Sequence, residues 1–120
     1  MIYTINMFLT VLTIAFGMIG WLAPRFTMKK LGLQTDGTNI GYSEIRAANG
    51  ALFVGAGAGA MFLSLPAAFA IVGFMYLGAA IGRLTGILFD NAGSIRSWSY
   101  FGVEAVFAGF LIIANASAFG

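Results

Sequence analysis

The side chains able to do chemistry are few and fall in three stretches. Glu44, Arg46 and Asn49 lie in the first, Arg83 in the second and Glu104 in the third. Carboxylates can relay protons, a guanidinium can hold an anion, and an amide can orient either group. The sequence contains no Cys and no His. That excludes disulfides, thiolate or imidazole metal sites, axial-His haem, and Ser–His or Cys–His nucleophilic catalysis. What remains forms no catalytic constellation, no metal site and no cofactor site, so no enzyme is expected. A net charge of +2 without a basic run also leaves no footprint for nucleic acid.

The elements that position these residues must be strongly apolar. The 120 residues are 60% hydrophobic and only 8% charged, whereas a soluble domain is about a quarter charged. So few charges cannot cover an aqueous surface, and the class is a polytopic membrane protein in contact with the lipid bilayer. Arg83 makes the case sharply. It sits in AAFAIVGFMYLGAAIGRLTGILFD (residues 67–90), long enough to cross a bilayer, which takes about 20 apolar residues. A charge there costs about 2.5–3.5 kcal/mol on insertion scales and normally has a partner facing the bundle interior. Gly78, Gly82 and Gly86 frame it at four-residue spacing.

Four spans are expected over about residues 2–23, 42–65, 67–89 and 98–119, by length and apolarity. They make one transmembrane domain, an all-α, antiparallel up-down-up-down bundle of four transmembrane helices. The first has no basic n-region and no convincing cleavage site, and is expected as a retained helix. In it Asn6, Thr10, Thr13, Gly17 and Gly20 form one stripe, with Phe8, Leu12, Phe16 and Ile19 off it. Small and polar residues turn towards other helices in a membrane, because lipid suits Leu and Phe as well as protein does. Ala47, Ala51, Gly55 and Gly59 predict a similar ridge on the second span, with Ser43 as its N-cap. Gly55, Gly59, Gly78, Gly82 and Gly86 are the expected helix-packing residues. Between the first two spans, Arg25-Phe26-Thr27-Met28-Lys29-Lys30-Leu31 mixes cations with apolar residues, as a segment lying on anionic headgroups does.

Orientation follows from the basic residues. Arg25, Lys29, Lys30 and Arg96 fall in or beside the two polar loops, and the terminal side has no Lys or Arg. The positive-inside rule therefore puts both loops in the cytoplasm and both termini outside. Arg83 then lies about six residues before its helix ends and Glu104 about six after the next begins, so both sit roughly 9 Å inside the same boundary. Antiparallel neighbours would bring them together as an ion pair. Glu44, Arg46, Asn49, Arg83 and Glu104 are thus expected in one polar cluster beneath the cytoplasmic face. Its structural reading is an ion-pair network that fixes helix register. Its functional reading is a ligand or ion site open to the cytoplasm. The structural reading is favoured, since the charges can balance internally.

Glu44-Ile45-Arg46-Ala47 with Gly50, then Gly82-Arg83-Leu84-Thr85-Gly86-Ile87-Leu88-Phe89-Asp90, then Gly102-Val103-Glu104, resemble the signature of a bacterial family of small four-helix integral membrane proteins, a domain of unknown function. Leu31-Gly32-Leu33, following Ala23-Pro24, extends the resemblance over nearly the whole chain. Gly50-Ala51 stands where members often have two glycines. The resemblance implies a fold, a shared charged constellation and a place in the bacterial inner membrane, with no activity to carry over. Two functions remain open. One is a structural or accessory subunit packing against a larger membrane complex, or against itself. The alternative is a small transporter or ligand-binding membrane protein using the charged cluster. Against the second, small multidrug transporters carry their essential carboxylate in the first helix, and this chain has none there.

Overall fold

The computed structural model describes Met1–Gly120. The chain is all-α, with five helices in two compact units, one over Tyr3–Phe62 and one over Leu63–Gly120. In the first unit α1 is Ile2–Leu22 and α2 is Pro24–Leu31. The third helix, α3, starts as Ile40–Arg46, passes through a π-helical turn at Ala47–Ala51 and continues as Leu52–Leu63. In the second unit α4 is Pro66–Phe89 and α5 is Ile95–Ala114, followed by a 3-10 turn at Ala116–Phe119. Three helices, α1, α4 and α5, are long and apolar enough to cross a membrane. The second of the four expected spans falls on α3, whose helix is divided by the π turn.

The buried side of α1 is its small and polar stripe: Asn6, Thr10, Thr13, Gly17 and Gly20, with Leu9. Phe8, Phe16 and Ile19 are exposed. Inside hydrocarbon a hydroxyl needs a partner within the protein. Thr10 Oγ1 donates to the Asn6 carbonyl at 2.6 Å and Thr13 Oγ1 to the Leu9 carbonyl at 2.8 Å. The stripe is what lets α3 approach. A Cβ on Gly17 would lie 2.7 Å from the Gly50 carbonyl oxygen, one on Gly57 would lie 2.6 Å from the Ile14 side chain, and one on Gly20 would run into the backbone of Asn49. These pairs step in opposite directions along the two helices, so α1 and α3 are antiparallel.

The π turn sits at this crossing, where Gly20 faces Gly50. It inserts a residue into the helical ladder and so resets which side chains face α1. Gly50, Gly57 and Ala60 are buried, while Ala47, Ala51 and Gly55 are exposed. The ridge expected from Ala47, Ala51, Gly55 and Gly59 therefore does not make the contact; the glycines beside it do. Ser43 is not the N-cap, since the helix already begins at Ile40. The start is set upstream, where Asp36 Oδ1 accepts from both the Thr38 amide and hydroxyl, and Thr38 Oγ1 accepts from the Ile40 amide. These bonds hold the Asp36 carboxyl below its ordinary value, the Thr38 hydroxyl contributing most.

In the second unit α4 packs along Phe69, Gly73, Tyr76, Ala80 and Ile87, all buried. The facing side of α5 carries Ala108 and Leu111, with Asn115 at the helix end. Gly73 is the close approach, since a Cβ there would lie 2.9 Å from both Leu111 and Ile112 side chains. Tyr76 meets Phe107 edge-on at 5.2 Å between ring centroids. The pairings 73–111 and 76–107 again run in opposite directions, so this hairpin is antiparallel. Helix α5 starts at Ile95, ahead of the expected boundary, because Ser94 Oγ accepts from the Ser97 amide and caps it. It ends at Ala114, short of the expected residue 119, as Asn115 turns its amide back to the Leu111 carbonyl at 2.8 Å.

Candidate functional site

The spacing that buries α4 also aims Arg83. Counting from Phe69, the packed positions 69, 73, 76, 80 and 87 recur at helical intervals, and 83 is the missing member of that series. On α5, 104 precedes 108, 111 and 115 in the same way. Each charge therefore occupies the packed stripe of its own helix. They meet as a bidentate pair, Arg83 Nε donating to Glu104 Oε1 at 2.6 Å and Nη2 to Oε2 at 3.2 Å. The side chains are 29% and 14% exposed, so the pair is screened from its surroundings only in part.

Tyr100, one helical turn before Glu104, completes the setting. The Arg83 guanidinium carbon lies 5.2 Å from the centroid of its ring. A planar guanidinium suits both a two-pronged carboxylate and a ring face, which an ammonium would not do equally well. The charge that makes Arg83 costly in a membrane is thus cancelled within one hairpin. The pair ties α4 to α5 and commits two of the five guanidinium donors to the carboxylate.

Arg46 has a different partner. It is exposed, and its Nη1 donates to the Trp21 carbonyl at 2.7 Å. Trp21 is in the last turn of α1, where the helix breaks at Ala23 and the final carbonyls lose their intrahelical partners. A cation at a helix C-terminus also meets the negative end of the dipole. Asn49 is half-buried inside the π turn, and its backbone is what Gly20 approaches. Glu44 is exposed, and its carboxylate makes no hydrogen bond or ion pair. Of the five residues expected to form one network, the structure joins Arg83 to Glu104 and gives Arg46 a backbone partner. No group of three carboxylates comes together that could hold a metal ion.

The glycines expected to pack make no close contact within their own units. A Cβ on Gly55, Gly59, Gly78 or Gly82 would meet nothing within 4 Å, and one on Gly86 only the Asp90 carboxylate at 3.8 Å. The intimate glycines are Gly17, Gly20, Gly50, Gly57 and Gly73. Two features of the site were missed from sequence: the Trp21 carbonyl and the Tyr100 ring. The second had a signal, since residues four apart on a helix share a face and Tyr100 stands four before Glu104.

A family model described as a domain of unknown function, DUF4345, matches residues 2–115. The chain belongs to the DUF4345 family. The match takes in every residue of the charged constellation, from Glu44 to Glu104. No curated protein and no solved structure matches the chain. For this DUF4345 protein the family's description brings no activity, and function has to be argued from the geometry.

Proposed function

We propose that this protein is a structural or accessory subunit of the bacterial inner membrane, one that packs against other membrane-protein subunits. The observation that carries the reading is the open glycine face of α4. Gly78, Gly82 and Gly86 lie at four-residue spacing, and within the α4–α5 hairpin a Cβ on Gly78 or Gly82 would meet nothing within 4 Å and one on Gly86 only the Asp90 carboxylate at 3.8 Å. Small residues at this spacing let a second helix approach closely in a bilayer, where van der Waals contact rather than water drives association. The neutralised Arg83–Glu104 pair supports the same reading, since it leaves no unpaired charge on the packed face between α4 and α5; the remaining cation of the hairpin, Arg96, is exposed in the first turn of α5. Catalysis forms no part of it.

The proposal includes four spans. Residues 40–63 form helical segments of seven, five and twelve residues in direct succession. That run is on the order of 35 Å, enough for a hydrocarbon core of about 30 Å. With four spans, the basic residues assign both polar loops to the cytoplasm and both termini to the outside.

The test is to purify the tagged full chain from its native membrane in mild detergent, with and without Gly82→Leu. The expected outcome is a defined set of membrane-protein subunits at near-stoichiometric amounts, lost in the variant while its melting temperature holds. A chain that purifies alone defeats the reading. A second reading, a small transporter or ligand-binding protein, is favoured by one observation, the unpartnered Glu44 carboxylate near the start of α3.

A further inference from the structure

We propose that α2 docks on anionic phospholipid, with Arg25, Lys29 and Lys30 holding headgroup phosphates at the end of α1. The inference rests on the membrane placement of α1 alone and stands apart from any role as an accessory subunit.

Connectivity sets the depth. Helix α1 has 21 residues, about 31 Å, which matches the hydrocarbon core and puts its end at a boundary. Only Ala23, with a non-helical backbone, separates Leu22 from Pro24. Helix α2 therefore begins within a few ångströms of that boundary, at headgroup level.

Its faces fit such a place. Pro24 and Met28 are buried and anchor it to the protein. Arg25 and Lys29, four apart, lie beside that stripe, Phe26 and Lys30 lie next to them on the side opposite it, and all four are exposed. The helix thus offers three cations and no acid. The first acid in the chain is Asp36, whose carboxylate is engaged by Thr38. Arg25 lies over the Tyr42 ring, its guanidinium carbon 4.3 Å from the centroid. Stacking of that kind fixes the plane while leaving the edge donors free for a phosphate. Lys30 stands 5.5 Å from the Phe26 ring centroid, and Phe26 with Leu22 and Leu33 offers apolar surface alongside. Cations beside exposed aromatic and aliphatic groups complement a leaflet whose phosphates lie directly over acyl chains.

The experiment is native mass spectrometry of the full chain in detergent with equal amounts of phosphatidylglycerol and phosphatidylcholine. Wild type is expected to retain phosphatidylglycerol at least about tenfold better. Each of Lys29→Gln and Lys30→Gln should lower that preference about fivefold, and raising the salt should weaken it as charges are screened. Arg96→Gln, a cation in the other unit, should leave it unchanged. Lys29 and Lys30 are exposed, so the double variant stays informative even if Arg25→Gln impairs folding; its melting temperature is read alongside. Equal retention of the two lipids by wild type overturns the proposal, as does a preference that survives the double variant or disappears in Arg96→Gln. An acidic protein that replaces the lipid, and is lost in the double variant, would reassign the surface to a protein partner.

Discussion

Arg83 shows how a single residue constrains its neighbours. A guanidinium on the packed face of a membrane helix must be answered there, and Glu104 answers it with both oxygens, at 2.6 and 3.2 Å. Removing either partner strands the other, which costs about 3–5 kcal/mol for a fully buried pair and under about 1 kcal/mol for an exposed one. With side chains 29% and 14% exposed, a loss between those limits is expected for Arg83→Met or Glu104→Leu alone. The double replacement should recover much of it, because two apolar side chains of similar volume need no partner. Thermal melts of the full double-mutant cycle in detergent read the coupling directly, and strictly additive losses would mean that the pair contributes nothing as a pair. Retention of partner subunits supplies the second readout. If the double variant is stable and keeps its partners, the pair is structural; if it is stable and inactive, the charges serve something outside the chain.

Among the elements, the glycines divide into two sets that the sequence alone did not separate. Four-residue spacing marks a ridge of small residues but does not say which neighbour the ridge meets. On α3 the π turn decides the matter: it puts Gly50 and Gly57 against α1 and leaves Gly55 outside. A π turn has no dependable sequence signature, so the phase of this helix could not be read from residue types. The stripe on α1 could, because Asn6, Thr10 and Thr13 are polar as well as small, and polar groups in hydrocarbon have only the protein interior to face. The Arg83–Glu104 pair was legible for a related reason, since two opposite charges on adjacent antiparallel helices have few other solutions. Arg46 went to a backbone carbonyl, and carbonyls carry no residue identity to read. The division makes a paired test. Gly50→Val should destabilise the fold by about 1–3 kcal/mol, as overpacking does at a tight contact. Gly55→Val should leave the melting temperature nearly unchanged, since its Cβ meets nothing within 4 Å. Equal effects in the two variants would contradict the assigned face of α3.

For the whole molecule the open quantity is the number of crossings, and it turns on α3. Helices α1, α4 and α5 are each long and apolar enough to span. If only these three cross, the termini lie on opposite sides of the membrane. If residues 40–63 cross as well, the termini share a side and the two polar loops share the other. Length favours four crossings, because the π turn interrupts hydrogen-bond register without breaking the helix: Ala47 and Leu52, on its borders, keep helical backbone angles. Charge agrees, since Arg25, Lys29, Lys30 and Arg96 all fall in or beside the loops and basic segments are retained in the cytoplasm. The chain has no native Cys, so single cysteines report cleanly. Cysteines replacing Ile2 and Ala118 should react with a membrane-impermeant maleimide added to intact cells. Those replacing Thr38 and Ser94 should react only after the membrane is opened. Labelling of one terminus but not the other would reduce the fold to three crossings and move α3 out of the span. Labelling of both loops from outside, with both termini protected, would keep four crossings but reverse the orientation drawn from the basic residues.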